Sequence, residues 1–321
     1  MKLITSFMLI LGLNVASVLA QADSFTLHIT VVDEETSEPI EDAIAGVSFS
    51  PGGALGGASR TTEATTNKDG KVTIKGESIF PMGVGAKKEG WYSSGLRAPN
   101  RVPDEKGKYH PKNEQEITLK LRKIKKPIGL FAKSFKGYLP EKDKKIGFDM
   151  EKGDWVTPYG KGIASDLIFK FTGKEIDNLN YEGQLSLTFA NESDGLSDMT
   201  DKISSESSFK TPYRANVESI GSSFLWEKSR SGKEKTNTVA KDAYYFVRVR
   251  STTDSEGIIK KANYGKIYEG IKFDPRTHGE GACYVYFTYY FNPTVNDTNL
   301  EFDPDKNLFG NIDSAKQVKA P

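Results

Sequence analysis

Apolar and polar residues alternate along most of this chain. Phe25, Leu27, Ile29 and Val31 fall on one side of a segment and Thr26, His28 and Thr30 on the other, the two-residue period of a strand with one buried face. The same period returns in Ala43, Ala45, Val47 and Phe49, in Val72 and Ile74, and in Ile117, Leu119 and Leu121, the last with Thr118, Lys120 and Arg122 outward. Residues 163–171, 185–189, 245–250 and 283–291 alternate or are dense in β-branched and aromatic side chains. Turn-forming residues separate these runs at 33–39, 67–70 and 191–208, and no apolar 3.6-residue period is sustained. The pattern predicts an all-β protein.

The punctuation of the first hundred residues is distinctive. Thr30-Val31-Val32-Asp33 is followed by Thr36, Pro39-Ile40 and Ala43, then Thr66-Asn67-Lys68-Asp69-Gly70-Lys71-Val72, then Gly90-Trp91-Tyr92. This arrangement resembles the carboxypeptidase regulatory-like family: a V-x-D strand end, a T-G-x-P-I turn, a T-D-x-D-G-x-[YF] hairpin and a G-Y step. Ser37 stands where that family more often has Gly, and Val72 where it has an aromatic. The resemblance implies a seven-stranded, transthyretin-like β-sandwich of immunoglobulin type, acting as an accessory module that brings no catalytic residues. Such motifs describe turns, so they specify fold rather than function.

Lys125-Lys126-Pro127 marks the expected boundary, because Pro cannot continue a central strand and the pattern restarts after it. The reading is a leader over 1–22, a regulatory-like sandwich over 23–126 and a larger β-sandwich, jelly-roll-like, over 127–321. Lysines and arginines crowd the stretch 120–145, where they alternate with apolar residues as on a solvated strand face.

The N-terminus reads as a secretory signal. Lys2 precedes an apolar run over 3–13, and Ala20-Gln21-Ala22 is an A-x-A cleavage site. The apolar centre is too short for a bilayer span, and no later stretch approaches the required ~20 apolar residues. The expected product is therefore secreted or periplasmic, without a transmembrane segment.

Composition narrows the chemistry. With 44 Lys plus Arg against 43 Asp plus Glu in 321 residues, the chain does not carry the charge excess that nucleic-acid binding by bulk electrostatics requires. One cysteine and three histidines leave no disulfide scaffold and no Cys/His zinc set. Cys283, inside an apolar strand pattern, is expected to be a small buried side chain. There is no G-x-S-x-G, H-E-x-x-H, G-K-[ST] or C-x-x-C motif. Glu175, Asp177, Glu182, Asp194, Glu301 and Asp303 are the acids from which a glycosidase pair could be drawn, their separation being a property of the fold.

Two sets of ligand candidates remain. Trp91, Tyr92, Trp155 and Trp226, with the aromatic run 284–291, could supply flat platforms for sugar rings, and Trp91 and Trp155 are expected to be the most exposed. Asp303, Asp305 and Asn307 place oxygen ligands at alternate positions, as calcium prefers, although no Gly or closing Glu completes an EF-hand loop. No other cofactor is expected. The sequence thus points to an exported, non-catalytic binding or structural protein with a glycan or surface polymer as its partner. A secreted glycoside hydrolase and an envelope assembly component are the alternatives.

Overall fold

The structure, a computed structural model, describes residues 22–52, 58–217, 219–240, 242–277 and 279–321. The expected leader lies outside the described residues except for Ala22, as does His278. The chain is nearly all β and forms two compact units that part between Leu121 and Arg122. Among the described residues, no helix is long and apolar enough to cross a membrane.

The first unit runs through β1 (Asp23–Asp33), β2 (Ile44–Phe49), β3 (Arg60–Thr65), β4 (Lys71–Ser78), β5 (Met82–Lys87), β6 (Trp91–Tyr92), β7 (Ser94–Ala98), β8 (Arg101–Pro103), β9 (Tyr109–Pro111) and β10 (Glu114–Lys123). One sheet has the order β4-β1-β10-β6, with β1 and β10 parallel; a second has the order β3-β2-β5-β7; β8 and β9 form a separate hairpin. The inward halves of the alternating strands meet in one core: Phe25, Leu27, Ile29 and Val31 from one sheet, Val47, Phe49, Met82 and Val84 from the other. The turn residues of the sequence pattern tie one corner of this sandwich. Thr66 Oγ1 donates to the Ile40 carbonyl at 2.7 Å and accepts from the Ala43 amide at 2.9 Å, while Asn67 Oδ1 accepts from the Asp69 and Lys71 amides. Gly70 sits at φ +68°, where an added Cβ would lie 2.5 Å from the Val31 carbonyl oxygen, so the hairpin requires glycine there.

The second unit contains β11 (Phe131–Leu139), β12 (Ile146–Asp149), β13 (Asp154–Trp155), β14 (Leu167–Asp177), β15 (Asn180–Thr188), β16 (Gly195–Asp198), β17 (Ser223–Ser231), β18 (Glu234–Asn237), β19 (Tyr245–Thr253), β20 (Ile259–Asp274) and β21 (Cys283–Asn292). They build two antiparallel sheets, ordered β11-β21-β20-β19-β16 and β13-β12-β14-β15-β17-β18. Their facing sides share a core in which Phe148, Phe169, Leu185 and Leu187 of one sheet meet Val247, Phe273, Val285 and Phe287 of the other. Cys283 is fully buried in it, as expected from the alternation.

A buried ionic node closes one end of this core. Asp149 accepts hydrogen bonds from the amides of Glu151, Lys152, Ile163 and Ala164 and faces the Arg250 guanidinium at 3.2 Å. Burial works against its charge, but those amides and Arg250 outweigh it and hold the carboxyl below the usual range. The segment 150–153 between β12 and β13 is therefore wound around the Asp149 side chain.

Part of the outer face of the five-stranded sheet is covered. There Leu130, Phe246, Tyr290, Leu300, Phe302 and Val318 form a second core. Lys266 lies wholly inside it, with its Nζ 4.4 Å from the Tyr290 ring centre, 4.9 Å from Phe209 and 5.0 Å from Tyr268, and 3.3 Å from the hydroxyls of Thr211 and Tyr268. Burial, and then the nearby charge of Arg122, push its amine far below the ordinary lysine range, with Glu301 opposing.

Candidate functional site

Beyond this second core, the same outer face carries three tyrosines. In β21 the inward positions are Cys283, Val285 and Phe287, so Tyr284 and Tyr286 point outward, and the β11 register sets Tyr138 directly opposite Tyr284. The Tyr138 and Tyr284 rings lie 5.1 Å apart edge to face, and the Tyr284 and Tyr286 rings 6.1 Å apart at 39°. All three are half-buried. A bulge in β20 separates this part from the covered one: between Tyr268 and Lys272 the register shifts, with Glu269 and Gly270 at positive φ.

Lysines bracket the tyrosines. Lys136 of β11 and Lys272 of β20 both pair in register with Tyr286, one on each side. The acids nearby are already engaged. Asp274 accepts from Arg276 at 2.6 and 2.9 Å and has Lys228 at 3.8 Å, and Glu280 hydrogen-bonds the Tyr138 hydroxyl. Burial and then the Glu280 charge push the Tyr138 phenol up, and burial and then Asp274 do the same to Tyr286. Both hydroxyls are therefore neutral donors at neutral pH. A cleft of about 270 Å³ opens beside Tyr286, lined by Lys228, Asn237, Val239 and Lys272. Flat rings with hydroxyl and ammonium groups at their edges suit a polyhydroxylated ring ligand.

The first unit has a concavity of its own, about 590 Å³, over the β3-β2-β5-β7 sheet. Its floor is glycine: Gly46, Gly85 and Gly95 stand in one cross-strand row and Gly83 in the next. Glu63 and Lys87, paired at 3.0 Å, and Arg97 rise beside it.

The four aromatics expected from the sequence are not brought together. Trp155 is only 5% exposed, which corrects the expectation that it faces solvent: Asp154 takes the outward position of β13, and the indole packs 5.2, 5.5 and 5.8 Å from the rings of Phe135, Phe148 and Phe169. Trp226 is 7% exposed and stacks on Phe224 at 5.9 Å; Tyr92 is 8% exposed. These three are core residues and cannot serve as open platforms. Trp91 is half-buried against the core of the first unit.

The three residues considered for calcium are engaged in local contacts. Asp303 caps a short 3-10 turn by accepting from the Asp305 amide and pairs with Lys306 at 2.8 Å. The Asn307 carboxamide spans the Ala132 backbone, donating to its carbonyl at 2.8 Å and accepting from its amide at 3.3 Å. Asp305 is exposed, and no group of three or more His, Cys, Asp or Glu side chains placed to hold a metal ion occurs among the described residues.

The acids considered for glycosidic chemistry are dispersed and committed. Glu301 accepts from the Lys125 and Lys126 amides, Asp194 from the Arg250 and Ser251 amides, Glu175 from the Thr277 amide, and Asp177 from the Leu179 amide and the Asn180 side chain. Glu182 shares a groove with Glu227, but Lys174 lies 3.3 Å from the former and the Gln184 carboxamide donates to the latter at 2.7 Å.

The platform that does form was half visible in the sequence. Alternation in 283–287 sends Tyr284 and Tyr286 to the same face, whereas Tyr138, Lys136 and Lys272 join them only through strand pairing.

No family model matches the chain, and no curated protein matches it. Among solved structures it is similar to 3-chlorocatechol 1,2-dioxygenase from Rhodococcus opacus, at 13% identity and a TM-score of 0.24, over 33% of this chain and 62% of that one. It is similar to a Bacteroides uniformis protein provisionally assigned to carbohydrate binding, at 8% identity and a TM-score of 0.19, over 85% and 98% of the two chains. It is also similar to the shaft pilin spaA from Lactobacillus rhamnosus, at 12% identity and a TM-score of 0.20, over 73% and 89%. At these scores the likenesses assign neither a family nor a ligand.

Proposed function

We propose that this is an exported, non-catalytic binding protein that holds a glycan or surface polymer on the tyrosine face of its second unit. The observation that carries the reading is the juxtaposition of Tyr138, Tyr284 and Tyr286, half-exposed and in register on one sheet face. Aromatic surface left open above a filled core is unfavourable unless something covers it, and ring-on-ring contact with sugars is the low-entropy way to do so. The non-catalytic part is supported by the engagement of each candidate acid with a neighbouring amide or cation. Export is supported by the leader pattern, and β1 begins at Asp23, directly after the A-x-A site. The first unit is read as the regulatory-like accessory module, on the strength of its turn motifs and two-sheet core.

The test is retardation of the protein in gels loaded with polysaccharide, comparing the native chain with the double variant Tyr284→Ala, Tyr286→Ala and with Trp91→Ala. Loss of retardation in the tyrosine variant alone is expected. Unchanged retardation in that variant, with its melting curve intact, would remove the tyrosine face from consideration.

A further inference from the structure

We propose that the polymer bound by this face is an anionic glycan, its carboxylate or sulfate groups taken by Lys136 and Lys272 while its rings cover the tyrosines. The inference rests on the glycan reading of the tyrosine face and names the class of polymer.

Charge bookkeeping around Tyr286 carries it. Across the sheet, one row reads Lys136, Tyr286, Lys272 and the neighbouring row Tyr138, Tyr284, Asp274. Two strand spacings separate the lysine backbones, about 9.5 Å, with an aromatic ring between them. Asp274 is neutralised by a two-point contact with Arg276 and by Lys228, whereas Glu280 accepts from the neutral Tyr138 hydroxyl and keeps its charge. The lysines are not matched in this way. Lys136 is exposed and makes no ion pair among the described residues, and the nearest carboxylate to Lys272 is Glu269 at 3.9 Å. Lys228, which lines the cleft beside Tyr286, is already paired with Asp274 and donates to the Phe273 carbonyl at 3.2 Å, so it adds no free charge. The face therefore presents aromatic surface flanked by an unpaired Lys136 on one side and by Lys272, held only at 3.9 Å by Glu269, on the other. A neutral glycan offers those ammonium groups only hydroxyl acceptors, whereas an acidic one exchanges their water for stronger, charge-assisted hydrogen bonds.

Matched polymer pairs that differ in charge test this with the full chain: polygalacturonate against its methyl ester, and dextran sulfate against dextran. The native protein is expected to bind at least one charged member about tenfold more tightly than its neutral partner, with the difference shrinking at high salt. The carboxylate or sulfate source is read from which pair discriminates. Lys136→Gln with Lys272→Gln should erase that discrimination, weakening the charged member far more than the neutral one, whereas Tyr284→Ala with Tyr286→Ala should weaken both members. Equal binding within each pair, untouched by the lysine changes, overturns the anionic inference and keeps the glycan reading. Binding of none of the four polymers overturns both. Equal binding to poly-glutamate, unaffected by the tyrosine changes, shows a plain charge effect and also overturns both.

Discussion

The Arg250 guanidinium grips the Asp166 carboxylate at two points, Nε to Oδ1 at 2.8 Å and Nη2 to Oδ2 at 3.0 Å, with Asp166 almost wholly buried. Glu151 and Asp149 complete the ring of acceptors, and the Phe291 ring lies 4.9 Å from the guanidinium carbon. Removing the cation strands two buried carboxylates. Arg250→Gln is expected to cost about 3–5 kcal/mol, read from urea unfolding. A loss under about 1 kcal/mol would show that water takes over the guanidinium's role.

Lys266 imposes a pH dependence of opposite origin. Its folded pKa is lowered, so at low pH the native state carries a buried ammonium and the destabilisation is fully present. As pH rises through the folded pKa, the native amine becomes neutral while the unfolded one stays protonated up to ~10.4, and stability climbs by up to about 1.4 kcal/mol per pH unit. The facing tyrosines, Tyr268 and Tyr290, have phenols pushed up by burial and stay protonated across that window; Arg122 and Glu301 are the charged neighbours. Lys266→Met should raise the melting temperature at neutral pH and flatten the alkaline slope. A slope that persists in the variant assigns it to another group.

Two strand glycines should respond oppositely to alanine. At Gly83 the nearest atom to an added Cβ is Ser48 Cβ at 3.8 Å, an ordinary contact, and the backbone is not left-handed. Gly83→Ala should stabilise the first unit by about 0.4–1 kcal/mol by restricting the unfolded chain. At Gly76 the added Cβ falls 2.5 Å from the Phe49 ring, so Gly76→Ala should cost about 1–3 kcal/mol. Equal effects at the two sites would contradict the packing described for β4 and β5.

Cys283 should be inert in the native protein. Burial, and then the charge of Asp274, push its thiol well above the ordinary range, and no surface reaches it. Alkylation should be negligible in buffer and complete in denaturant. Comparable rates in the two conditions would mean that β21 opens readily.

Strand identity could be read from local pattern because side-chain alternation is a property of each strand by itself. Phe25 to Val31, Ala43 to Phe49 and Ile117 to Leu121 all turned their apolar halves inward, and Cys283 followed the same phase. Exposure of aromatics could not be read in this way. Trp155 has an acidic neighbour in sequence, yet β13 turns Asp154 outward and the indole inward, against rings from β11, β12 and β14. The partners of the oxygen-rich run from Asp303 could not be read in this way either, since they come from Lys306 and the distant Ala132 backbone.

What the amino-acid order determined unaided was the all-β class, the turns that tie the first unit and the outward phase of Tyr284 and Tyr286. Only the tertiary structure decided that Tyr138, Lys136 and Lys272 stand beside them, because cross-strand neighbours are chosen by sheet order and register. Whether a side chain is an open platform or a core residue depends on what the second layer covers. Here the covering layer ends at the bulge before Lys272, and the three tyrosines lie beyond it.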